Sequence, residues 1–454
     1  MHYRITRAGA LAGLLLAAAC SESATSAQPT KARTSLGRGG FEVWILDQSG
    51  TQPGNPSGYG GTLHIFEGSS LMGTAGASAQ PIARIDLAPL KDGVCQATGK
   101  IPVRPHMIQF NREHTHAIMS FVASGHVVIF DAESRAPVAC FLTSQSATGQ
   151  QAHAAIPAPD GSYIVVANQS GKRLERIDTD YETNTFTHNA AATLDLATCT
   201  TPSGAPCEAA GVRPLNWPIC PIISQNSAYT FVTLRGGGLL VVDARQTPMR
   251  VVGEYDMATV KGNGCGGTQV GSSMFINSGG SPVNVSGTDP HHPLLYGFDV
   301  YRFPLSGYPA AQPNTPAPQL IFSKRGASDS HGMASVAEGR MLWVMDRHAD
   351  VTEILDIETG RHEATVPLNG ALTPNAAPDL VDAAPSGGRL FVALRGTTPL
   401  SGDPHNARGA TPGLGILQVT ASGRSGELVA IVPIDNQVNP GATDPHGIRV
   451  RLRK

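Results

Sequence analysis

The sequence is poor in charge: only 15% of its 454 residues are Asp, Glu, Lys or Arg, the formal net charge is −2, and no long run of Lys or Arg occurs. A nucleic-acid surface needs clustered basic side chains to displace counterions from phosphates, so nucleic acid is excluded as a partner. Apart from its first 20 residues, the chain has no segment with the roughly 20 unbroken apolar residues of a membrane span. No convincing helical period runs for any length, which argues against a helical fold. Several catalytic signatures are missing. The glycines Gly236, Gly237 and Gly238 stand in a hairpin, where glycine supplies positive φ, and do not form a phosphate-binding loop. There is no GxSxG ahead of a helix and no CxxCH haem site. Acidic residues such as Asp160 and Asp356 fit turns and strand ends and suggest no paired-carboxylate catalysis.

What is present begins with MHYRITRAGALAGLLLAAAC, in which Arg4 and Arg7 precede an apolar run ending in small residues. This reads as a secretory signal over residues 1–20. Its end also matches a bacterial lipobox, with cleavage before Cys20 and a lipid on that cysteine. Ala17 stands where Leu is commoner, and Ser21 favours the outer membrane. Ordinary cleavage near Ala19 is the alternative. Residues 21–39, rich in Ser, Thr, Ala and Gly, read as a flexible tether. The expectation is an exported protein, periplasmic or held at the outer membrane by lipid alone. Six cysteines remain, an even number that suggests disulfides in an oxidising compartment. Cys199 and Cys207 flank a Pro/Gly/Ser loop and form the most plausible pair. The other four allow three connectivities, with Cys220 to Cys265 favoured over a thiolate role for Cys265.

The composition is also rich in turn formers, with 51 Gly and 34 Pro. From Phe41 onward, short Val/Ile/Phe-rich strands alternate with turn clusters. Stacked against one another, these strands reveal a repeat. RPHMIQFNREHTHAIMSFVASGHVVIFDAES (104–134) matches QAHAAIPAPDGSYIVVANQSGKRLERIDTD (151–180) and DSHGMASVAEGRMLWVMDRHADVTEILDIETG (329–360). Segments 216–246 and 375–396 follow the same plan more loosely. Each unit holds four strands, the content of one propeller blade. Unit starts near 104, 151, 216, 264, 329 and 377 give six blades. The leftover strands EVWILD, TLHIFE and ARIDLA at the front and GIRVRL at the back make a seventh. The fold expected is an all-β, seven-bladed propeller over residues 40–454, closed by pairing the C-terminal strand with the three N-terminal ones, which removes the open sheet edge.

These strand repeats, with ID or FD at the strand ends, resemble the YVTN-type and lactonase-like seven-bladed propellers. More remotely they resemble the propeller domain of nitrous-oxide reductase. The resemblance covers the mature chain and speaks to fold far more than to activity.

In such a ring the first strand of each blade lines the central channel. A histidine falls at the start of that strand in four blades: His106, His153, His331 and His446. The same register gives Ile219, Cys265 and, with one extra residue, Asp379 in the others. With 15 histidines in 454 residues, seven such positions hold about 0.2 by composition alone. Clustered neutral imidazoles suit a transition metal, whereas calcium wants oxygen ligands. Asp329 and Asp444, each two residues before a histidine, are candidates to orient imidazoles. Further candidates for the same mouth are His116 at a second-strand start, His126 after a tight turn, and His291, His292, His348 and His405 in mouth-facing turns. Arg235, Arg347 and Arg395, with Lys172 nearby, are candidate binders of a small anion. Solvated turns or ion pairs to neighbouring Asp would explain the same arginines. Each histidine has a plain structural reading too, since propeller channels hold polar side chains and water. His64, His188 and His362 fall outside the register.

Three functions follow. The first is a metal-dependent oxidoreductase acting on a small molecule, with copper favoured over zinc or iron by the resemblance to nitrous-oxide reductase. That family's full ligand set is not reproduced and no cupredoxin domain follows. The second is a lactonase-like hydrolase in which a metal polarises a carbonyl and activates water; a calcium form is disfavoured because histidine dominates the axis. The third is a non-catalytic envelope platform. A monomer meeting a small-molecule substrate or a redox partner is expected.

Overall fold

The computed structural model describes residues 40–73, 76–279, 297–308, 315–326, 328–401 and 407–453. Seven four-stranded antiparallel sheets stand as the blades of a closed propeller. The signal, Cys20 and the tether lie outside the described residues. Among the described residues, no helix is long and apolar enough to cross a membrane.

The innermost strands of blades one to seven are Pro105–Phe110, Ala152–Pro157, Pro218–Ile223, Gly267–Val270, Ser330–Val336, Pro378–Ala383 and Pro445–Leu452. Each blade is covered on both faces by its neighbours, so its middle strands are buried on both sides. His116–Phe121 and Tyr163–Asn168 are buried at every position. That explains why they read as unbroken apolar runs and do not alternate. The outermost strand Pro137–Leu142 is partly exposed along its length. Between blades seven and one, for example, Trp44, Leu46 and Ile65 pack with Ile108, Met119 and Phe121.

Blade seven is built from both ends of the described chain. Phe41–Asp47 pairs with Pro445–Leu452, matching Val43 with Val450 and Ile45 with Ile448. Ile448 and Val450 are buried, each contributing roughly 1.5–3 kcal/mol of apolar transfer. Buried Glu42 fastens the seam, accepting from Trp44 Nε1 at 2.8 Å, Arg135 at 2.9 Å and Arg451 at 3.1 Å. Burial alone would raise its pKa; these three donors hold it below the usual value.

All six described cysteines are in disulfides. Cys199–Cys207 closes its eight-residue loop as expected. Cys95–Cys140 ties the segment before blade one to that blade's outermost strand. Cys220–Cys265 joins the innermost strand of blade three to the entry of blade four.

Candidate functional site

Six of the seven innermost strands slip in register against their neighbour at the same place. The slips fall after Pro105, Ala152, Pro218, Ser330, Pro378 and Pro445, and so involve His106, His153, Ile219 with Cys220, His331, Asp379 and His446. A bulge of this kind releases a residue from the ladder and re-aims its side chain. Repeated in six blades, it brings one donor from each to the channel: four imidazoles, the Asp379 carboxylate and the Cys220 sulfur; the Cys265 sulfur comes from the entry of blade four, whose innermost strand pairs without a slip. The sequence register put Ile219 in the third of these places. The structure corrects this: Ile219 is buried in the core beside it, and Cys220 brings its sulfur to the ring.

The next residue explains how the strands come so close. A Cβ on Gly332 would overlap the Asp379 carbonyl and stand 2.8 Å from Leu380 Cα, and one on Gly447 would stand 2.6 Å from the His106 carbonyl. Glycine is therefore required by close backbone approach at both His-Gly steps.

The imidazoles form a continuous arc. Ring centroids are 4.7 Å apart from His106 to His153, 3.8 Å from His106 to His446, and 5.1 Å from His331 to His446. The hydrogen bonds assign the tautomers. Gln48 Nε2 donates to Asp444 at 3.2 Å, which turns Gln48 Oε1 to accept from His106 Nδ1 at 2.8 Å. His446 Nδ1 donates to the His106 carbonyl at 2.9 Å, and His331 Nδ1 donates to Asp379. In these three rings Nδ1 is thus spent as a donor and Nε2 keeps its lone pair, the arrangement usual for a metal-ligating histidine with its supporting partner. His106 Nε2 is buried without a hydrogen-bond partner, as is His153 Nδ1. His446 Nε2 stands 3.7 Å from Asp379 Oδ2. His331, Asp379 and His446 place one donor atom each within 4.8 Å of one another.

Burial holds His106 and His446 far below the usual imidazole range, helped at His106 by the neighbouring His446 and His153. For His153, burial together with His331 and Arg235 brings the pKa to about 3. All three rings are therefore neutral at neutral pH. Burial would raise Asp379, but His331, His446, Arg347 and Arg395 hold it well below the ordinary carboxylate range. A carboxylate so stabilised is a poor general base and serves to orient His331 and balance charge.

The two arginines correct an expectation. Arg395 is fully buried, pairing with Asp379 at 2.6 Å and Asp444 at 2.7 Å. Arg347 is nearly so, bonded to Asp329 at 2.8 Å and Asp379 at 3.3 Å. Their charges are committed to carboxylates, the ion-pair alternative that the sequence left open. Asp329 and Asp444 act on the site by holding these arginines and, for Asp444, Gln48. Arg235 is half-buried, with its charge acting on His153. Lys172 pairs with Glu208 at 2.6 Å.

His116 is a second correction. A second strand starts at the opposite mouth from the first, and His116 bonds there to Asn184 at 2.6 Å. His126 begins a third strand, away from the axis, held by Thr98 and Ser124 at 3.0 Å each. His348 lies in the turn after Asp346. Cys265 is in a disulfide. His291, His292 and His405 lie outside the described residues. His188 and His362 pair with Glu175 and Glu353 between neighbouring strands. Sequence reasoning missed Gln48 and Met107; for Gln48 no local pattern exists, since its partners come from blades one and seven.

No protein-family model matches the chain, and no curated protein matches it. Solved structures do. A candidate 6-phosphogluconolactonase of Bacteroides fragilis aligns with TM-score 0.53 at 13% identity, over 90% of this chain and 98% of its own. The periplasmic gluconolactonase of Pseudomonas aeruginosa aligns with TM-score 0.53 at 11% identity, over 90% and 99%. A protein from Lactobacillus plantarum aligns with TM-score 0.54 at 9% identity, over 90% and 99%. The chain has the fold of the lactonase-like seven-bladed propellers; at these identities the likeness speaks for fold alone.

Proposed function

We propose that this protein is a metal-assisted hydrolase of the lactone class, with a transition-metal ion held by Nε2 of His106, His331 and His446. The observation that carries the reading is the set of three imidazoles whose Nδ1 atoms are all spent on partners, leaving three lone pairs on buried, neighbouring rings. Three histidines with an open position are a catalytic donor set for zinc, and copper or iron also accept imidazole. The stacked rings of His106 and His446, 24° apart in plane, must turn about χ2 for both lone pairs to meet one ion. Bound there, the ion supplies a Lewis acid for a carbonyl oxygen and an activated water. Asp379 fixes the His331 ring and offsets the ion's charge, and the Asp444–Gln48 pair does the same for His106. Two of the similar folds are described as lactonases, which favours hydrolysis over the oxidoreduction expected from the sequence. Copper would serve oxidoreduction; hydrolysis needs only the Lewis acid. Three disulfides are compatible with an exported protein.

The test is elemental analysis of protein from its native compartment, then turnover of a panel of five- and six-membered sugar lactones. Expected is one metal per chain and lactone opening that is abolished by chelator and by the His106→Ala, His331→Ala, His446→Ala triple variant. A metal-free wild type, or turnover indifferent to the triple variant, would refute the proposal.

A further inference from the structure

Beside the imidazole arc lies a second cluster of donors that the hydrolytic reading does not use. Sγ of Cys220, Sγ of Cys265 and one ring nitrogen of His153 lie within 4.8 Å of one another. Met107, the residue after His106, sets its thioether sulfur 3.8 Å from each of those Sγ atoms. His153 Nδ1 is buried without a hydrogen-bond partner. The same channel holds a cavity of about 170 Å³ lined by Met107, Cys220 and Cys265 together with Ile156, Leu380 and Gln109. That is room for several waters or a small ion. The two cysteines come from adjacent blades and are joined as a disulfide, so in this state they offer no thiolate.

We propose that Cys220 and Cys265 form a redox-gated soft-metal site that binds monovalent copper once the disulfide is reduced. The reductant is a dithiol. Its two sulfurs join as the Cys220–Cys265 bond breaks, two electrons pass to the protein sulfurs, and the two protons follow them. Monovalent copper then displaces those protons and is held by two thiolates, with His153 and Met107 completing the site. Thiolate and thioether sulfur select monovalent copper over harder ions, and Met107 in particular adds little for zinc. In the oxidised state the site is closed by its own covalent bond. The inference uses none of His106, His331 or His446, so it stands or falls apart from the hydrolase.

The experiment uses the folded full-length protein under argon, oxidised or treated with a phosphine reductant. Differential alkylation with peptide mapping reports which cysteines open, and cuprous ion is titrated against a bathocuproine competitor. Expected is labelling of both Cys220 and Cys265 in the folded chain and one more cuprous ion per reduced chain than per oxidised chain. Met107→Leu should weaken that ion at least tenfold. The double variant Cys220→Ser, Cys265→Ser retains the other two disulfides and should gain no such ion on reduction. If that variant does not fold, the wild-type comparison with Met107→Leu decides alone. Failure of the two cysteines to label in folded protein, equal copper uptake in both states, or displacement of the copper by equimolar zinc would each overturn the proposal. Lactone turnover by the oxidised, zinc-loaded chain is measured separately, so loss of one reading leaves the other intact.

Discussion

Replacing His153 by Gln removes an imidazole that the fold keeps neutral far into the acid range. Its pKa lies at about 3 in the folded chain, because of burial first and then of His331 and Arg235. In the unfolded chain it titrates near 6.5. A depressed folded pKa means the contribution to stability is complete above pH 6.5 and is lost as pH falls towards 3. Below 6.5 the unfolded chain takes up a proton that the folded chain refuses, at roughly 1.4 kcal/mol per pH unit. At pH 5 the position has therefore cost the wild type about 2 kcal/mol. Glutamine still reaches a backbone carbonyl and does not titrate. Whatever the substitution costs at pH 7.5, the variant should gain about 2 kcal/mol on the wild type by pH 5. Urea unfolding of chelator-treated protein at pH 7.5, 6.5 and 5 measures this difference. An offset between the two proteins that stays constant across the three pH values would refute the account of a buried neutral ring.

Four other perturbations test the surrounding framework. Asp379→Asn weakens the anchor of His331, so transition-metal affinity should fall roughly 10–100-fold in competition with a chromophoric chelator; unchanged affinity would remove Asp379 from the centre. Arg395→Met leaves two buried carboxylates short of a partner and should cost about 3–5 kcal/mol in urea unfolding, while a loss under 1 kcal/mol would show the ion pairs to be dispensable. Gly332→Ala pushes on the backbone of Asp379 and Leu380, with an expected loss of about 1–3 kcal/mol and weaker metal binding; Gly388→Ala, which meets only a serine hydroxyl at 3.7 Å, is the control that should change neither. Ending the chain at Asp444 removes the innermost strand of blade seven, and calorimetry should show the main cooperative transition lost; a shift of only a few degrees would mean that the ring does not depend on this closure.

The propeller was legible because its blades repeat. Middle strands buried on both faces demand unbroken apolar runs, and the turns between them demand Gly, Pro and Asp, so strand number and closure both leave marks along the chain. The start of each innermost strand was legible for the same reason, which is why the four histidines and Asp379 align in the sequence itself. Ile219 was placed one residue short because bulges insert residues without a mark in composition. His116 was read as a second-strand start but given to the wrong mouth, because the antiparallel hairpin carries that start to the opposite end of the blade. Arg347 and Arg395 looked available because nothing local reveals that Asp329, Asp379 and Asp444 converge on them. The His-Gly steps at 331–332 and 446–447 were the overlooked signal, since a glycine there marks backbone approach across the channel.

By itself, the amino-acid sequence determined the repeating pattern, the number of blades and the positions that face the axis, because these follow from local periodicity. Only the tertiary structure decided which of those positions touch. Tautomers depend on partners hundreds of residues apart, as in Asp444, Gln48 and His106. The commitment of the arginines depends on charges from adjacent blades, and the sulfur cluster depends on three different blades meeting at one level of the channel. These are products of ring closure, a global geometry that brings distant residues together without leaving a trace in their neighbours.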